Sequence, residues 1–175
     1  MNFSPFPLLE TATLVLRQLE TADVDDIFLL RSDERVNKYL DRPETKSKEE
    51  ARLFIDKINT GIADNESVYW AITEKGQRRL IGTACLWNFR KDEEVAEIGY
   101  ELYLDFQGRG IMLEALTTVI EYAFKTLELK TIDAYTDPAN TGSTKLLEKF
   151  SFKRMPADDP ATKEIIYALN NPYLK

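Results

Sequence analysis

The stretch Gln107-Gly108-Arg109-Gly110-Ile111-Met112 stands between a predicted strand, residues 95–104, and the longest helical pattern of the chain. Its two glycines allow backbone N–H groups to approach a ligand closely. The start of the helix adds unpaired N–H donors and the positive end of the helix dipole, which favour a phosphate group. A Gly-x-Gly motif also occurs in tight turns without a ligand. It is not a dinucleotide fingerprint, because Leu113 replaces the third glycine, and no Gly-Lys-Ser/Thr follows as in a P-loop.

The elements around this turn predict a mixed sheet. Apolar residues follow helical spacing from Met112 to Leu127, so this helix and the strands on either side, 95–104 and 131–136, form a βαβ unit with parallel strands. Strands 67–73, 79–88 and 95–104 have connections too short for crossovers and predict an antiparallel meander. The remaining elements are strands at 13–18, 152–155 and 164–169, and helices at 23–30, after the capping box Ser47-Lys48-Glu49-Glu50, and at 142–150.

The amino-acid composition excludes several classes of catalytic and metal-binding site. The chain has 175 residues, 23 Lys and Arg against 30 Asp and Glu (23 − 30 = −7), no histidine and one cysteine, Cys85. These counts exclude Ser-His-Asp and Cys-His nucleophiles and zinc sites built on His and Cys, and we expect no metal. The sequence shows no export signal, no disulfide framework, and no apolar run near the roughly 20 residues that span a bilayer. We therefore expect a cytoplasmic protein, with one domain over residues 1–175. The acidic balance disfavours nucleic acid as a direct partner.

Two linked motifs resemble the GNAT acetyltransferase superfamily. Gln107–Ile111 matches its [QR]-x-x-G-x-[GA] motif, with Met112 where Gly or Ala is usual, and Asn140-Thr141-Gly142-Ser143 followed by Leu146-Leu147-Glu148-Lys149-Phe150-Ser151-Phe152 is similar to its second block. Ser151 replaces a glycine there, a change expected to act on the helix C-cap. Together with Glu97-Ile98-Gly99-Tyr100 and Glu114-Ala115, the pattern looks like the branch of Rim-type ribosomal-protein N-terminal acetyltransferases. The resemblance implies an α/β (α+β) GNAT fold, with helices on both faces of a mostly antiparallel sheet that is splayed at the CoA site.

The resemblance also implies direct transfer of an acetyl group from acetyl-CoA to a primary amine. The CoA pyrophosphate is expected on the backbone donors of Arg109, Gly110, Ile111 and Met112, with Gln107 and Gly108 shaping the turn. The pantetheine arm is expected along Leu102 and Leu104, with Asn140 binding it or anchoring the strand end. The Leu102 N–H would polarise the thioester carbonyl.

Several residues are candidates for the proton transfers. Glu97 and Glu101 share one side of their strand, and each is a candidate general base, a contact for a cationic substrate, or a solvated carboxylate; we favour Glu97. A β-bulge near Leu102, common in the family, would change that parity. Many relatives use as general acid a Tyr seven residues after the Asn, where this chain has Leu147. Ser143, which also falls in the cofactor-binding set, is our candidate acid, with helix capping as the alternative. Cys85 is expected only to pack.

The acceptor is expected to meet residues 31–43, which the resemblance places over the acceptor side. Asp33, Glu34, Tyr39 and Asp41 would form an acidic, aromatic lid that attracts an amine cation. Glu101 is a further candidate contact. We therefore predict an N-acetyltransferase for a protein N-terminal α-amine, ribosomal-protein-like, or a small-molecule amine or polyamine. The alternatives are a non-catalytic acyl-CoA-binding sensor or scaffold and, less favoured, a nucleotide-binding protein. No membrane partner is expected, and both a monomer and a homodimer are compatible with the sequence.

Overall fold

An eight-stranded mixed sheet runs through the molecule. The computed structural model describes residues 1–40, 42–92, 94–156 and 164–174. Within them the strand order is β1-β2-β3-β4-β5-β6-β8-β7, and only the β5–β6 pair is parallel. The strands are β1 (Leu9–Glu10), β2 (Leu14–Arg17), β3 (Val68–Glu74), β4 (Leu80–Arg90), β5 (Val95–Leu102), β6 (Thr131–Thr136), β7 (Lys153–Arg154) and β8 (Ile165–Asn170).

Five α-helices connect and cover these strands: α1 (Val24–Ser32), α2 (Glu34–Asn37), α3 (Lys48–Ala63), α4 (Ile111–Lys125) and α5 (Thr141–Lys149). The Ser47 side chain caps α3 by accepting from the Glu50 N–H at 3.1 Å, as the capping box predicts. The Glu50 carboxylate returns a contact to the N–H of Lys46, one residue before the N-cap, at 2.7 Å. None of the helices in the described ranges is long and apolar enough to cross a bilayer.

Neighbouring residues of β3 show that helices cover both faces of the sheet. The Tyr69 ring lies 5.7 Å from the Phe54 ring of α3, and the Trp70 ring lies 5.7 Å from the Tyr122 ring of α4. Because successive side chains of a strand point to opposite faces, α3 and α4 lie on opposite sides. Both faces of β3 are therefore buried, and six consecutive residues from Val68 to Thr73 belong to the core.

Strands β5 and β6 pair for only part of their length. The parallel register joins Val95–Thr131, Ala96–Ile132 and Glu97–Asp133, after which β5 stays on β4 and β6 stays on β8. The predicted splay is therefore present, and it opens the sheet beside the second half of β5. The predicted parallel βαβ unit and antiparallel meander are also confirmed.

The structure corrects four details of the predicted elements. The strand predicted to reach Leu104 ends at Leu102, because residues 104–106 form a 3₁₀ turn in which the Gln107 N–H donates to the Leu104 carbonyl at 3.0 Å. The β4–β5 register is continuous from Gly82–Leu102 to Trp87–Glu97, so no bulge interrupts this pairing near Leu102 and Glu97 and Glu101 keep the same parity. Strand β1 and helix α2 were not predicted, since two and four residues are too short for a periodic pattern. Strand β7 has two residues where four were expected.

Helix α5 ends in a Schellman motif formed around Ser151. The Phe152 N–H donates to the Leu147 carbonyl at 3.1 Å, and the Ser151 N–H donates to the Glu148 carbonyl at 2.9 Å. Ser151 has φ +65° at the position where the GNAT motif carries glycine. The C-cap geometry is thus kept, with a serine in a backbone conformation that favours glycine.

Candidate active site

The splay leads into a cavity of about 370 Å³, here called the glycine-turn cavity. It is lined by the end of β5, the turn before α4, the first turn of α4, and the face of α5 that carries Ser143. Of the predicted site residues, those in its lining are Glu101, Leu102, Gln107, Gly108, Gly110, Ile111, Met112, Asn140 and Ser143. Most of the predicted cofactor contacts are therefore brought together around one opening.

The turn before α4 presents an uncapped helix start to this cavity. Gly108 has φ +72° and Gly110 has φ +79°, and an added Cβ at either position would meet no atom within 4 Å. Gly110 is the N-cap and offers no capping side chain, and the first helical bond runs from the Glu114 N–H to its carbonyl at 3.0 Å. The N–H groups of the first turn thus lack intrahelical partners. Together with the helix dipole they suit a phosphate group.

Side chains around the turn hold its shape and supply charge. The Gln107 amide donates to the Leu102 carbonyl at 3.0 Å, which ties the turn to the end of β5. Arg109 lies outside the described lining of the cavity: its guanidinium is 3.8 Å from a Glu74 carboxylate oxygen. Leu104 also lies outside it, in the 3₁₀ turn.

Two cations line the glycine-turn cavity that the sequence reasoning missed, Lys145 and Lys149 of α5. Their spacing of four residues puts them on one helix face. That spacing within the second family block is the signal that would have identified them.

Tyr100 and Ser143 join β5 to α5 across the splay. Their hydroxyl oxygens lie 2.9 Å apart, and both residues line the cavity. The Ser143 N–H donates to the Asn140 side chain at 3.2 Å, so Asn140 is the N-cap of α5 and the Ser143 hydroxyl is directed to Tyr100. Burial raises the pKa of Tyr100 to about 12, against the opposing effect of the Ser143 hydrogen bond. Tyr100 is therefore neutral near pH 7 and able to donate a proton, and the sequence analysis missed it although it stands in the motif Glu97-Ile98-Gly99-Tyr100.

A second cavity, of about 910 Å³, lies between α3 and strands β3 to β5 and is here called the α3 cavity. Leu40, Tyr100 and Glu101 line both cavities, so the two meet at the end of β5. Glu101 is buried at this junction. Hydroxyls of Thr83 and Tyr69 donate to its Oε1 at 3.3 and 3.4 Å, and its Oε2 lies 2.5 Å from Arg42 Nη2.

Burial raises the pKa of Tyr69 well above its ordinary value, and the negative charge of Glu101 adds to the effect. The Tyr69 hydroxyl is therefore a neutral donor beside the carboxylate. Burial likewise raises the pKa of Cys85, which lines the α3 cavity, to about 12.

Glu97, the favoured base of the sequence analysis, has a different environment. Its carboxylate accepts from the Asn88 side-chain amide at 2.6 Å and lies 3.9 Å from Arg90 Nη1. Arg90 also pairs with Asp133 of β6. Glu97 is in the described lining of neither the glycine-turn cavity nor the α3 cavity. The placement favours Glu101 over Glu97 as the carboxylate at the reacting centre.

The segment predicted as an acidic lid does line the cavities, but through side chains other than the predicted ones. Asp33 caps α2 and pairs with Arg35 at 2.8 Å, Glu34 is exposed, and the Tyr39 ring centroid lies 5.0 Å from Lys38 Nζ. In the described part of the segment, the residues that line a cavity are Arg31, Val36, Leu40 and Arg42, and the fourth predicted lid residue, Asp41, lies outside the described residues. The part of the segment that faces the site is thus apolar and cationic.

Within the described ranges, no group of three or more acidic or cysteine side chains is placed to hold a metal ion.

Residues 13–153 match the family model described as an acetyltransferase (GNAT) domain. The uncharacterized N-acetyltransferase YoaA of Bacillus subtilis is 29% identical over 168 residues, which is 96% of this chain and 93% of YoaA. The uncharacterized N-acetyltransferase p20 of Bacillus licheniformis is 34% identical over 83% of this chain and 82% of p20. The [ribosomal protein uS5]-alanine N-acetyltransferase of Escherichia coli is 30% identical over 98 residues, which is 55% of this chain and 50% of that enzyme.

Solved structures agree on the fold. The ribosomal-protein-S5-alanine acetyltransferase of Vibrio fischeri superposes with a TM-score of 0.83 at 22% identity, covering 97% of this chain and 99% of the other. RimL, a ribosomal L7/L12 α-N-protein acetyltransferase solved in complex with coenzyme A, gives a TM-score of 0.84 at 19% identity, covering 94% and 98%. The predicted resemblance, including Rim-type relatives, is confirmed. The chain belongs to the GNAT family of N-acetyltransferases.

Proposed function

We propose that the protein transfers the acetyl group of acetyl-CoA to a primary amine, and that this amine is the N-terminal α-amine of a protein. The observation that carries the proposal is the meeting of the two cavities at Tyr100 and Glu101. One cavity has the uncapped helix start that suits a pyrophosphate. The other has room for an acceptor, and the junction holds a neutral hydroxyl donor and a carboxylate. A non-catalytic sensor would need the first cavity but not this junction.

Acetyl-CoA is proposed to bind in the glycine-turn cavity. Its pyrophosphate would accept from the N–H groups of Gly110, Ile111 and Met112, with Lys145 and Lys149 of the lining supplying positive charge. The fit rests on the positive φ of Gly108 and Gly110, since side chains at these positions would enter the open space. CoA is present in the structure of RimL, which has the same fold. The pantetheine arm would follow the end of β5 at Leu102, with Asn140 at the far side of the opening.

The proposed chemistry assigns the protons of the amine to Glu101 and the proton of the leaving thiolate to Tyr100. An α-ammonium group has a pKa of about 7.7–8.0, so the Glu101 carboxylate, directly or through one water, is a sufficient base. The free amine attacks the thioester carbonyl, whose developing negative charge the Leu102 N–H stabilises; one such donor contributes about 2.7–4 kcal/mol. The C–N bond forms, and the nitrogen gives its second proton to Glu101, which has passed the first proton to solvent. The C–S bond breaks, Tyr100, hydrogen-bonded to Ser143, protonates the leaving thiolate, and Glu101 returns a proton to Tyr100 through water.

The acceptor assignment rests on the relatives and on the charges of the α3 cavity. The relative from E. coli is named as an alanine N-acetyltransferase of ribosomal protein uS5, which favours a protein N-terminus over a small amine. Arg31, Arg42 and Lys57 line the cavity, so a polyamine would meet like charges there. We propose the cytoplasm as the location, in keeping with a chain that has a single cysteine.

Two measurements test the proposal. Isothermal titration should give saturable binding of acetyl-CoA, and a thiol-release assay should then show turnover with N-terminal peptides in a panel that also contains polyamines and aminoglycosides. Binding without turnover on any amine would favour the sensor. No binding of acetyl-CoA by the folded protein would overturn the assignment.

A further inference from the structure

We infer that the acceptor carries a carboxylate close to its reactive amine, and that Arg31 and Arg42 bind this carboxylate in the α3 cavity. The inference deepens the proposed function and rests on it, because it concerns the acceptor side of the same site.

The first observation is the balance of charge inside the α3 cavity. Its described lining includes Arg31, Arg42 and Lys57 against Glu66 and Glu101. Lys57 and Glu66 are exposed, whereas the two arginines are half-buried and Glu101 is buried. Among the described residues, the inner part of the cavity therefore holds two guanidinium groups and one carboxylate. An excess positive charge away from water is costly unless an anion accompanies it.

Arg31 is held in place by an aromatic ring and a hydroxyl group. Its guanidinium carbon lies 3.9 Å from the centroid of the Phe54 ring, and its Nε donates to the Thr45 hydroxyl at 3.3 Å. In the described parts of the chain no carboxylate lies within ion-pair distance of its guanidinium. Burial lowers the pKa of Arg31, and the positive charge of Arg42 lowers it further. Both effects point to a positive group that an arriving anion would stabilise.

Arg42 is oriented toward the reacting centre by a second residue of the same segment. The Asn37 side-chain oxygen accepts from Arg42 Nε at 2.9 Å and from Nη2 at 2.8 Å, while the Asn37 amide donates to the Arg31 carbonyl at 2.7 Å. The guanidinium so positioned contacts Glu101 at 2.5 Å. Asn37 thus links the Arg42 guanidinium to the backbone of Arg31, and Arg42 contacts the proposed base.

This arrangement complements an acceptor with two opposite charges. Its ammonium group would lie at Glu101, and its carboxylate would lie against Arg31 and Arg42, whose planar groups suit carboxylate oxygens. The carboxylate has two chemical sources. It is either the acidic side chain of a residue that follows the N-terminal one in a peptide, or the α-carboxylate of a free amino acid.

The experiment compares acceptors that differ only in charge. Three hexapeptides share an N-terminal Ser and carry Asp, Asn or Lys at positions 2 and 3, and a free amino acid and its amide form the second arm. We expect kcat/KM to be at least about tenfold higher for the acidic member of one arm than for its neutral partner. In Arg31→Gln, KM for that acidic acceptor should rise about tenfold, with KM for its neutral partner and the Kd of acetyl-CoA changed less than about twofold.

Two further variants keep the test specific. Arg52 lies on the exposed side of α3 and pairs with Glu49 and Asp56, so Arg52→Gln removes the same charge from the same part of the chain and should leave the preference intact. Arg31→Lys should recover part of the preference. Thermal melts establish that each variant is folded.

The outcomes separate this inference from the proposed function. A preference for the acidic peptide would support the inference and indicate a protein acceptor. A preference for the free amino acid over its amide would support the inference and indicate a small-molecule acceptor. Equal rates in both arms, a preference for the Lys peptide, or an unchanged preference in folded Arg31→Gln would overturn it while acetyl transfer stands. No transfer to any acceptor would overturn the proposed function itself.

Discussion

The hydroxyl oxygens of Tyr100 and Ser143 lie 2.9 Å apart and connect β5 to α5 where the sheet opens. Either oxygen has the geometry to donate, and the raised pKa of Tyr100 keeps its proton in place at neutral pH. The pair offers the leaving thiolate a proton donor in a chain that has Leu147 where many GNAT enzymes have a tyrosine.

Tyr100→Phe is therefore expected to lower kcat by about 10²-fold, with little change in acetyl-CoA affinity, because the proton donor is lost. Ser143→Ala should lower kcat by about tenfold or more, up to the same limit. The double variant should be no slower than Tyr100→Phe, since the two hydroxyls act as one unit. Tyr122→Phe on α4, outside both cavities, is the matched control. Normal kcat in Tyr100→Phe with a slow Ser143→Ala would return the acid role to Ser143 alone, as the sequence analysis has it.

Glu101→Gln is expected to lower kcat/KM for the acceptor by about 10²-fold or more, because among the described residues no other carboxylate lines both cavities. Glu97→Gln should keep kcat/KM within about threefold and lose about 1 kcal/mol of stability, since its contacts to Asn88 and Arg90 are weakened. Steady-state kinetics at saturating acetyl-CoA and thermal melts measure the two effects. The reverse pattern would identify Glu97 as the base.

The comparison of these two glutamates shows how far the sequence alone reaches. Strand parity places Glu97 and Glu101 on one side of β5, and the regular β4–β5 register agrees. Which of them is at the reacting centre depends on where β6 leaves β5, and on Arg90 and Asn88 reaching back to Glu97. Neither the end of the β5–β6 pairing nor the side-chain contacts across the β4–β5 hairpin has a local sequence pattern.

For the segment of residues 31–43, too, the sequence predicts the position of the segment but not which side chains face the site. Its position over the site follows from the family resemblance, but the short helix α2 turns Asp33 toward Arg35 and Arg42 toward Glu101. By contrast, the glycine turn was predictable, because positive φ at two glycines is a local property of the chain.

Ser151→Gly is expected to stabilise the protein by about 1 kcal/mol, because glycine adopts φ +65° without the steric cost that serine carries. For a chain of this size the melting temperature should rise by about 2–4 °C. Ser151→Ala keeps the Cβ and should give no gain. A Ser151→Gly protein that is no more stable than the Ser151→Ala protein would mean that the serine is not strained in the Schellman motif.

Cys85 is expected to react slowly with thiol reagents in the native protein. With its pKa raised to about 12, against about 8.5 for an ordinary thiol, the thiolate fraction at pH 8 falls by roughly 10³-fold. Iodoacetamide should therefore modify the native protein at least about 10²-fold more slowly than the denatured chain. The rate should rise about tenfold per pH unit from pH 8 to pH 10 while the protein stays folded. A fast reaction at pH 8 would contradict a thiol that is protonated in the native protein.

Gly110→Val is expected to abolish acetyl-CoA binding. The side chain would enter the space where the pyrophosphate is proposed, and φ +79° is unfavourable for a β-branched residue.

Gly76, in the turn between β3 and β4, is a matched control, because it has φ +77° and an added Cβ there also meets no atom within 4 Å. Gly76→Val carries the same backbone strain outside the lining of the glycine-turn cavity, so it should lose stability and keep its Kd for acetyl-CoA. Thermal melts first establish that both variants are folded at the titration temperature. Calorimetric titration with acetyl-CoA then separates the effect of backbone strain from loss of the binding site. An unchanged Kd in folded Gly110→Val would remove the pyrophosphate from this turn, and a Kd that rises equally in both variants would attribute the effect to strain alone.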